Sequence, residues 1–175
     1  MTKFYLIRHA EPDWSMVREG RPYIEVLSPL SEDGIRQARE LASDPLLGSA
    51  EIIISSPYTR ALQTSAILSK EMQLPLKVEY DLREWTYCSQ TKSTKESIIG
   101  AFKEELKRCN SSEPAELAKS GIESMDGVRS RARRVLERYL GYTEVIAVSH
   151  GVVIESQSGQ DKVGYGGIVE ISIQA

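Results

Sequence analysis

The chain reads as an α/β protein, a three-layer αβα sandwich with a mainly parallel sheet flanked by helices and a small helical cap insertion. Short apolar runs, at residues 4–7, 51–55 and 144–149, recur along the chain, and near-continuous apolarity is what a strand buried on both faces requires. Longer stretches between them repeat their apolar residues at helical spacing. The two histidines of the chain, His9 and His150, each end one of the apolar runs. In open α/β sheets the carboxyl ends of the strands face the ligand crevice.

Taken in order, the first run carries Arg8 and His9 out of the sheet into small and acidic residues. Residues 12–29 form a loop with Trp14, Gly20, Pro22 and Tyr23, long for a plain connection, as loops beside active sites often are. Its Arg18 and Arg21 are within reach of an anion but read more simply as solvated charges. Ser31 is placed to cap a helix with Glu32 and Asp33 in its first turn, and Ile35, Ala38, Leu41 and Ala42 give that helix a buried face. Residues 51–55, EIIIS, are β-branched and too short for a helix. Ser56 and Pro57 then suit a helix N-cap and first helical position. That helix runs to about Met72, with Ala61, Leu62, Ala66 and Leu68 inward.

Residues 76–80 suggest a third strand, and residues 81–85 leave its end. From Thr86 to about Gly127 the pattern changes to mixed charge with an amphipathic stripe of Ile98, Ile99, Phe102 and Leu106 behind the capping-box sequence Ser93-Thr94-Lys95-Glu96. This is expected to be the cap, lying within a single domain that spans residues 1–175. Val128, Ala132, Val135, Leu136 and Tyr139 mark another core-facing helix, whose Arg129, Arg131, Arg133, Arg134 and Arg138 read as a solvated face. Residues 144–149 form the next strand and residues 168–173 the last. One short helix fits between them, and Gly164-Tyr165-Gly166-Gly167 forms a turn.

Composition narrows the function. With 175 residues the chain suits one domain, and 27% charged residues at net charge −3 give no bulk case for nucleic acid or an anionic membrane. No stretch approaches the roughly 20 apolar residues of a membrane span, and the N-terminal apolar run is too short for a secretory signal. Cys88 and Cys109 are too few for a disulfide framework and suit a reducing, cytoplasmic setting. A zinc set of His9, Cys88, Cys109 and His150 lacks the close ligand pair that such sites use. Arg60 follows the strand at 51–55 in the first turn of its helix. Backbone N–H groups there favour an anion, and a guanidinium adds a bidentate grip.

Four stretches occur in one order along the chain: Arg8-His9-Ala10-Glu11, residues 55–64 (SSPYTRALQT), Leu82-Arg83-Glu84-Trp85, and Ser149-His150-Gly151. Together they resemble the signatures of the histidine phosphatases, the phosphoglycerate-mutase-like superfamily. The resemblance implies a phosphomonoester hydrolase that works through a phosphohistidine on a small phosphorylated metabolite, without metal or cofactor. It casts His9 as the nucleophile and Arg8, Arg60 and His150 as cationic clamps on the phosphate. Glu84 is cast as the acid that protonates the leaving oxygen and then activates water, which calls for a raised pKa. His9 has to be neutral to attack, and the charge on neighbouring Arg8 opposes its protonation.

Two departures stand out. Ala10 occupies a position where many relatives have glycine. Thr86-Tyr87-Cys88 follows Trp85 in place of a glycine–tryptophan–glycine pattern, which leaves Glu11, Asp13 and Asp81 as alternative acids. A phosphoglycerate-type mutase and a non-catalytic phosphate-binding module are the competing readings. Substrate identity and oligomeric state are left open by the sequence.

Overall fold

In a computed structural model of the chain, which describes residues 1–16, 24–85, 107 and 123–174, the first apolar run becomes β1 (Thr2–Arg8). It is followed by a short helix α1 (Ile24–Leu27) and by α2 (Glu32–Ala42). Next come β2 (Ile52–Ser55), α3 (Thr59–Met72) and β3 (Leu76–Val78). The chain closes with α4 (Met125–Glu137), β4 (Glu144–Ser149), α5 (Gly151–Ser158) and β5 (Ile168–Ile173). Most of the expected cap segment, including Cys88, Cys109 and the Ser93 capping box, lies outside the described residues, as do Arg18 and Arg21, and the end of that segment belongs to α4.

The sheet order is β3-β2-β4-β1-β5. β1 pairs in parallel with β4, β4 with β2, and β2 with β3; β5 alone runs antiparallel, against β1. Alternation along the strands sorts the core into two layers. Phe4, Leu6, Ile52, Ile54, Val145 and Ala147 pack with Val128, Ala132, Val135 and Leu136 of α4 and Val152, Val153 and Ile154 of α5. On the other face Tyr5, Ile7, Ile53, Ile146 and Val148 meet Ala61 and Leu68 of α3. Helix α2 lies on α3 through Ala38, with Ile35 and Ile67 partly buried around it. The expected αβα sandwich is the observed one.

Local chemistry explains the helix starts. Ser31 accepts the Gly34 N–H at the head of α2, and Ser124 accepts the Gly127 N–H at the head of α4. Gly34 is required for a second reason: a Cβ there would stand 2.1 Å from the Glu11 carbonyl oxygen, so α2 can approach the loop after His9 only without a side chain.

Three expectations are corrected. Helix α3 begins at Thr59 with Tyr58 as its N-cap residue, not at Pro57, because the Ser56 hydroxyl is directed at His150. Ala66 is exposed, and Thr64 and Ser65 are buried instead, their hydroxyls bonded to the carbonyls of Arg60 and Ala61 one turn back. β3 ends at Val78. The last link to β2 is the Glu79 N–H to the Ser55 carbonyl, after which a 3₁₀ turn (Tyr80–Leu82) swings Leu82 and Trp85 into the core.

Candidate active site

The carboxyl ends of β1, β2 and β4 lie side by side, with Arg8 opposite Ser149 and Ser55 opposite Val148 in the ladders. Residues emerging from these ends therefore converge. His9 follows β1, His150 follows β4, and Arg60 stands in the first turn of α3 just beyond β2. All three are buried, at 3%, 0% and 3% exposure. The His9 backbone N–H donates to the Ser149 carbonyl at 3.0 Å, which fastens the two histidine-bearing turns together.

The hydrogen bonds fix the state of His9. Arg60 Nε donates to His9 Nε2 at 3.0 Å, and His9 Nδ1 lies 2.8 Å from the Ala10 carbonyl oxygen. A guanidinium only donates and a carbonyl only accepts. Nδ1 therefore carries the proton and Nε2 presents its lone pair. His150 is read the same way. Its Nδ1 accepts from Arg60 Nη2 at 3.3 Å, so its Nε2–H faces the Ser56 hydroxyl at 2.7 Å. The His9 and His150 rings meet edge-on with centroids 5.1 Å apart.

Electrostatics agree with this assignment. Burial holds both histidines well below the ordinary imidazole pKa, and the Arg60 guanidinium lowers them further. For His9 the bond to Ala10 opposes the shift, and Arg8 adds only a smaller depression. Arg8 opposes protonation of His9 as expected, but burial comes first and Arg60 second. His150 is likewise a neutral N–H donor, not a third cation, in the unliganded site.

Arg8 closes the neighbouring side. Its Nη1 donates to the Val163 carbonyl at 2.6 Å and its guanidinium lies 4.3 Å from the centre of the Tyr165 ring. Its Nε is buried with no hydrogen-bond partner among the described residues. The 164–167 turn is tied to the same strand end, since the Gly166 N–H donates to the Arg8 carbonyl at 3.0 Å. Tyr165 also faces His9 at 5.5 Å between ring centres, and Tyr58 faces His150 at 5.0 Å. Ala10 fits without strain, fully buried, with its N–H donated to Thr64 Oγ1 at 3.1 Å.

Among the carboxylates of the described residues, Glu84 is the buried one, at 9% exposure, with Oε1 accepting the Trp85 N–H at 2.9 Å. The alternatives have other partners. Asp81 is paired with Arg83 at 2.8 Å, Glu11 accepts from the Ser31 hydroxyl at 3.3 Å, and Asp13 accepts the Ser15 N–H at 2.8 Å, its pKa lowered by the Ser15 side chain and then by that backbone bond. Among the described residues no three His, Cys, Asp or Glu side chains are grouped to hold a metal ion, and no helix is long and apolar enough to cross a membrane.

Several site residues carried no role in the sequence reading. Ser56 is expected only as a helix cap, and Tyr58 and Thr64 lie inside the 55–64 stretch with no signal of their own. Tyr165 was read only as part of a turn. Arg131 was assigned to a solvated helix face and is instead 3% exposed. Its signal was its position, one residue before Ala132 and three after Val128, on the apolar stripe of α4.

Comparison with known proteins agrees with the geometry. Residues 4–158 match the model of the histidine phosphatase superfamily (branch 1). Phosphoserine phosphatase 1 of Hydrogenobacter thermophilus is 32% identical over 157 residues, which cover 87% of this chain and 72% of that one. An uncharacterized phosphatase of Bacillus subtilis, PhoE, is 34% identical over 87 residues, half of this chain and 44% of that protein's length. The solved structure of Bacillus stearothermophilus YhfR shares the fold with a TM-score of 0.75 at 23% identity, over 99% of this chain and 92% of that one. The chain belongs to the histidine phosphatase superfamily.

Proposed function

We propose that this chain hydrolyses a phosphomonoester of a small metabolite through a covalent phosphohistidine at His9. The enzyme class follows from the family: the chain is a histidine-phosphatase-type phosphomonoesterase. The roles of the side chains are our reading, and the observation that carries it is the His9 tautomer. Nε2 bears a lone pair, stays unprotonated at neutral pH, and stands against the guanidinium that a phosphate would engage.

In this reading the phosphate draws the Arg60 guanidinium off Nε2 and is held by Arg60, Arg8 and His150, whose N–H turns from the Ser56 hydroxyl to the phosphate. Nε2 attacks phosphorus, the P–N bond forms, and the bond to the leaving oxygen breaks. The clamps stabilise charge spread over the equatorial oxygens. Glu84 gives its proton to the leaving alkoxide and then takes one from the water that hydrolyses the phosphohistidine. No step calls for a metal, a cofactor or a nucleic acid, and a cytoplasmic setting belongs to the same reading. The name of the Hydrogenobacter relative makes phosphoserine the first compound to assay.

The test is chemical trapping. Brief mixing with ³²P-labelled substrate followed by denaturation is expected to leave label that survives alkali and is released by acid. His9→Ala is expected to carry none. Wild-type labelling in His9→Ala would move the nucleophile elsewhere, and a strict need for a bisphosphate primer would favour the mutase reading.

A further inference from the structure

The loop that carries Glu84 has little regular structure to hold it. The 3₁₀ turn (Tyr80–Leu82) uses the carbonyls of Glu79 and Tyr80 in its own hydrogen bonds, and buried carbonyls further along require other partners. Side chains from two other elements supply them. Ser149 at the end of β4 donates to the Leu82 carbonyl at 2.7 Å. Arg131 of α4 supplies the rest: Nη1 donates to the carbonyls of Asp81 at 2.5 Å and Arg83 at 2.8 Å, and Nη2 to that of Glu84 at 3.3 Å. The other edge of the guanidinium grips Glu123, with Nε to Oε1 at 2.6 Å and Nη2 to Oε2 at 3.0 Å. Glu123 in turn accepts the Trp85 indole N–H on its carbonyl at 2.6 Å.

We infer that Arg131 is a positioning residue for the general acid, fixing the main chain on which Glu84 stands. The inference rests on Glu84 being that acid. A buried ion pair that served stability alone needs only its carboxylate. Here the guanidinium also binds three carbonyls of one short loop, including that of Glu84 itself. Leu82 and Trp85 anchor the same loop by burial, at 2% and 1% exposure. Movement of the loop would strand charged donors and those carbonyls together, so Glu84 is left with little freedom beyond its own side-chain rotation. Lysine cannot reproduce this arrangement, because its ammonium lacks the planar fork.

The experiment measures the rate of phosphohistidine formation in single turnovers, with an alkyl phosphate and with nitrophenyl phosphate. An alkoxide needs protonation to leave and a nitrophenolate needs little, so displacement of the acid shows as a selective loss. Arg131→Lys is expected to slow the alkyl reaction by about 10–10²-fold, the scale of a small misplacement of a reacting group. The nitrophenyl reaction should slow far less, with KM for either nearly unchanged. In a Glu84→Gln background the same substitution should add almost nothing, because the group it positions is gone. Arg131→Met combined with Glu123→Met removes the buried guanidinium together with its partly buried carboxylate partner, so neither charge loses its partner. It is expected to show the same selective loss, which keeps the test available if Arg131→Lys folds poorly. Equal slowing of both substrates, or an undiminished effect in the Glu84→Gln background, would overturn the positioning role while leaving Glu84 as the acid. Absence of leaving-group selectivity in Glu84→Gln itself would instead remove the acid assignment and this inference with it.

Discussion

The phosphate end of the site is held together by side chains touching side chains, whereas the proposed acid is held by the main chain beneath it. His9, Arg60 and His150 sit at the ends of adjoining strands and bond directly, with Arg60 reaching both rings. Glu84 stands on a loop whose carbonyls are fixed by Arg131 and Ser149. The first arrangement follows from sheet topology, because parallel strands deliver their carboxyl ends to one edge. The second depends on one buried guanidinium from a helix elsewhere in the chain. The two regions should therefore fail in different ways when altered.

The largest difference is expected from Glu84→Gln. Its phosphohistidine formation should fall by something like 10²–10⁴-fold with an alkyl phosphate and much less with nitrophenyl phosphate. Rapid-quench measurement of this first step is needed, since Glu84 would also assist hydrolysis of the shared intermediate. Equal slowing with both leaving groups would give Glu84 a positioning role only. The same selectivity in Glu11→Gln, Asp13→Asn or Asp81→Asn would move the acid there.

Arg60→Ala probes the other region and should lack that selectivity. Both substrates should slow by roughly 10²-fold or more, because a charged donor to the transition state is lost whatever the leaving group. Arg60→Lys should recover part of the loss but not the planar grip. A nearly wild-type rate in Arg60→Ala would place the phosphate elsewhere.

This contrast also explains what the sequence made legible. Arg8, His9, Arg60 and His150 each lie next to a run whose apolar pattern announces a buried strand, so their convergence followed from local signals. The pairing of the five strands adds only order to that picture. Glu84 was recognised through its neighbours in the Leu82–Trp85 stretch, but what holds it was not. Arg131 is one of four arginines close together in α4, and charge alone makes them look alike. Only its place on the apolar stripe sets it apart, and the carbonyls it binds lie far away in sequence. The start of α3 was misread for a similar reason: Ser56 has the chemistry of a helix cap, yet its partner is His150, 94 residues on.

A smaller effect is expected from pH, and it belongs to the clamp. His9 and His150 have folded-state pKa values depressed below the ordinary value of 6.5, first by burial and then by Arg60. Above 6.5 both folded and unfolded chains hold these rings neutral, and stability is unaffected. As pH falls below 6.5 the unfolded chain takes up protons that the folded chain refuses, so stability declines toward the lowered folded values. Urea unfolding between pH 7.5 and 5.5 should show this decline, and His150→Gln should make it shallower. A flat profile over that range would mean that the buried rings accept protons as readily as exposed ones.

The smallest effect separates two neighbouring hydroxyls on α3. Thr64 and Ser65 are both fully buried, and each donates to a carbonyl one turn back. Thr64 does something more: its Oγ1 also accepts the Ala10 N–H, joining α3 to the loop that leaves His9. Valine matches threonine in shape and nearly in helix propensity, so Thr64→Val isolates that link. It leaves the buried Ala10 N–H without its acceptor, a loss of about 1–3 kcal/mol. Ser65→Ala removes a donor from Ala61, whose carbonyl belongs to the helix ladder, and no N–H is orphaned. Its cost should be near the lower end of a typical hydrogen bond, about 0.5 kcal/mol. Denaturant midpoints at unchanged m-value would measure both. Activity should separate them as well, because only Thr64 couples the backbone of Arg60 to that of the residue after His9. Equal stability losses in the two variants would show that the Ala10 N–H finds another acceptor, and that Thr64 is not what ties α3 to the loop leaving His9.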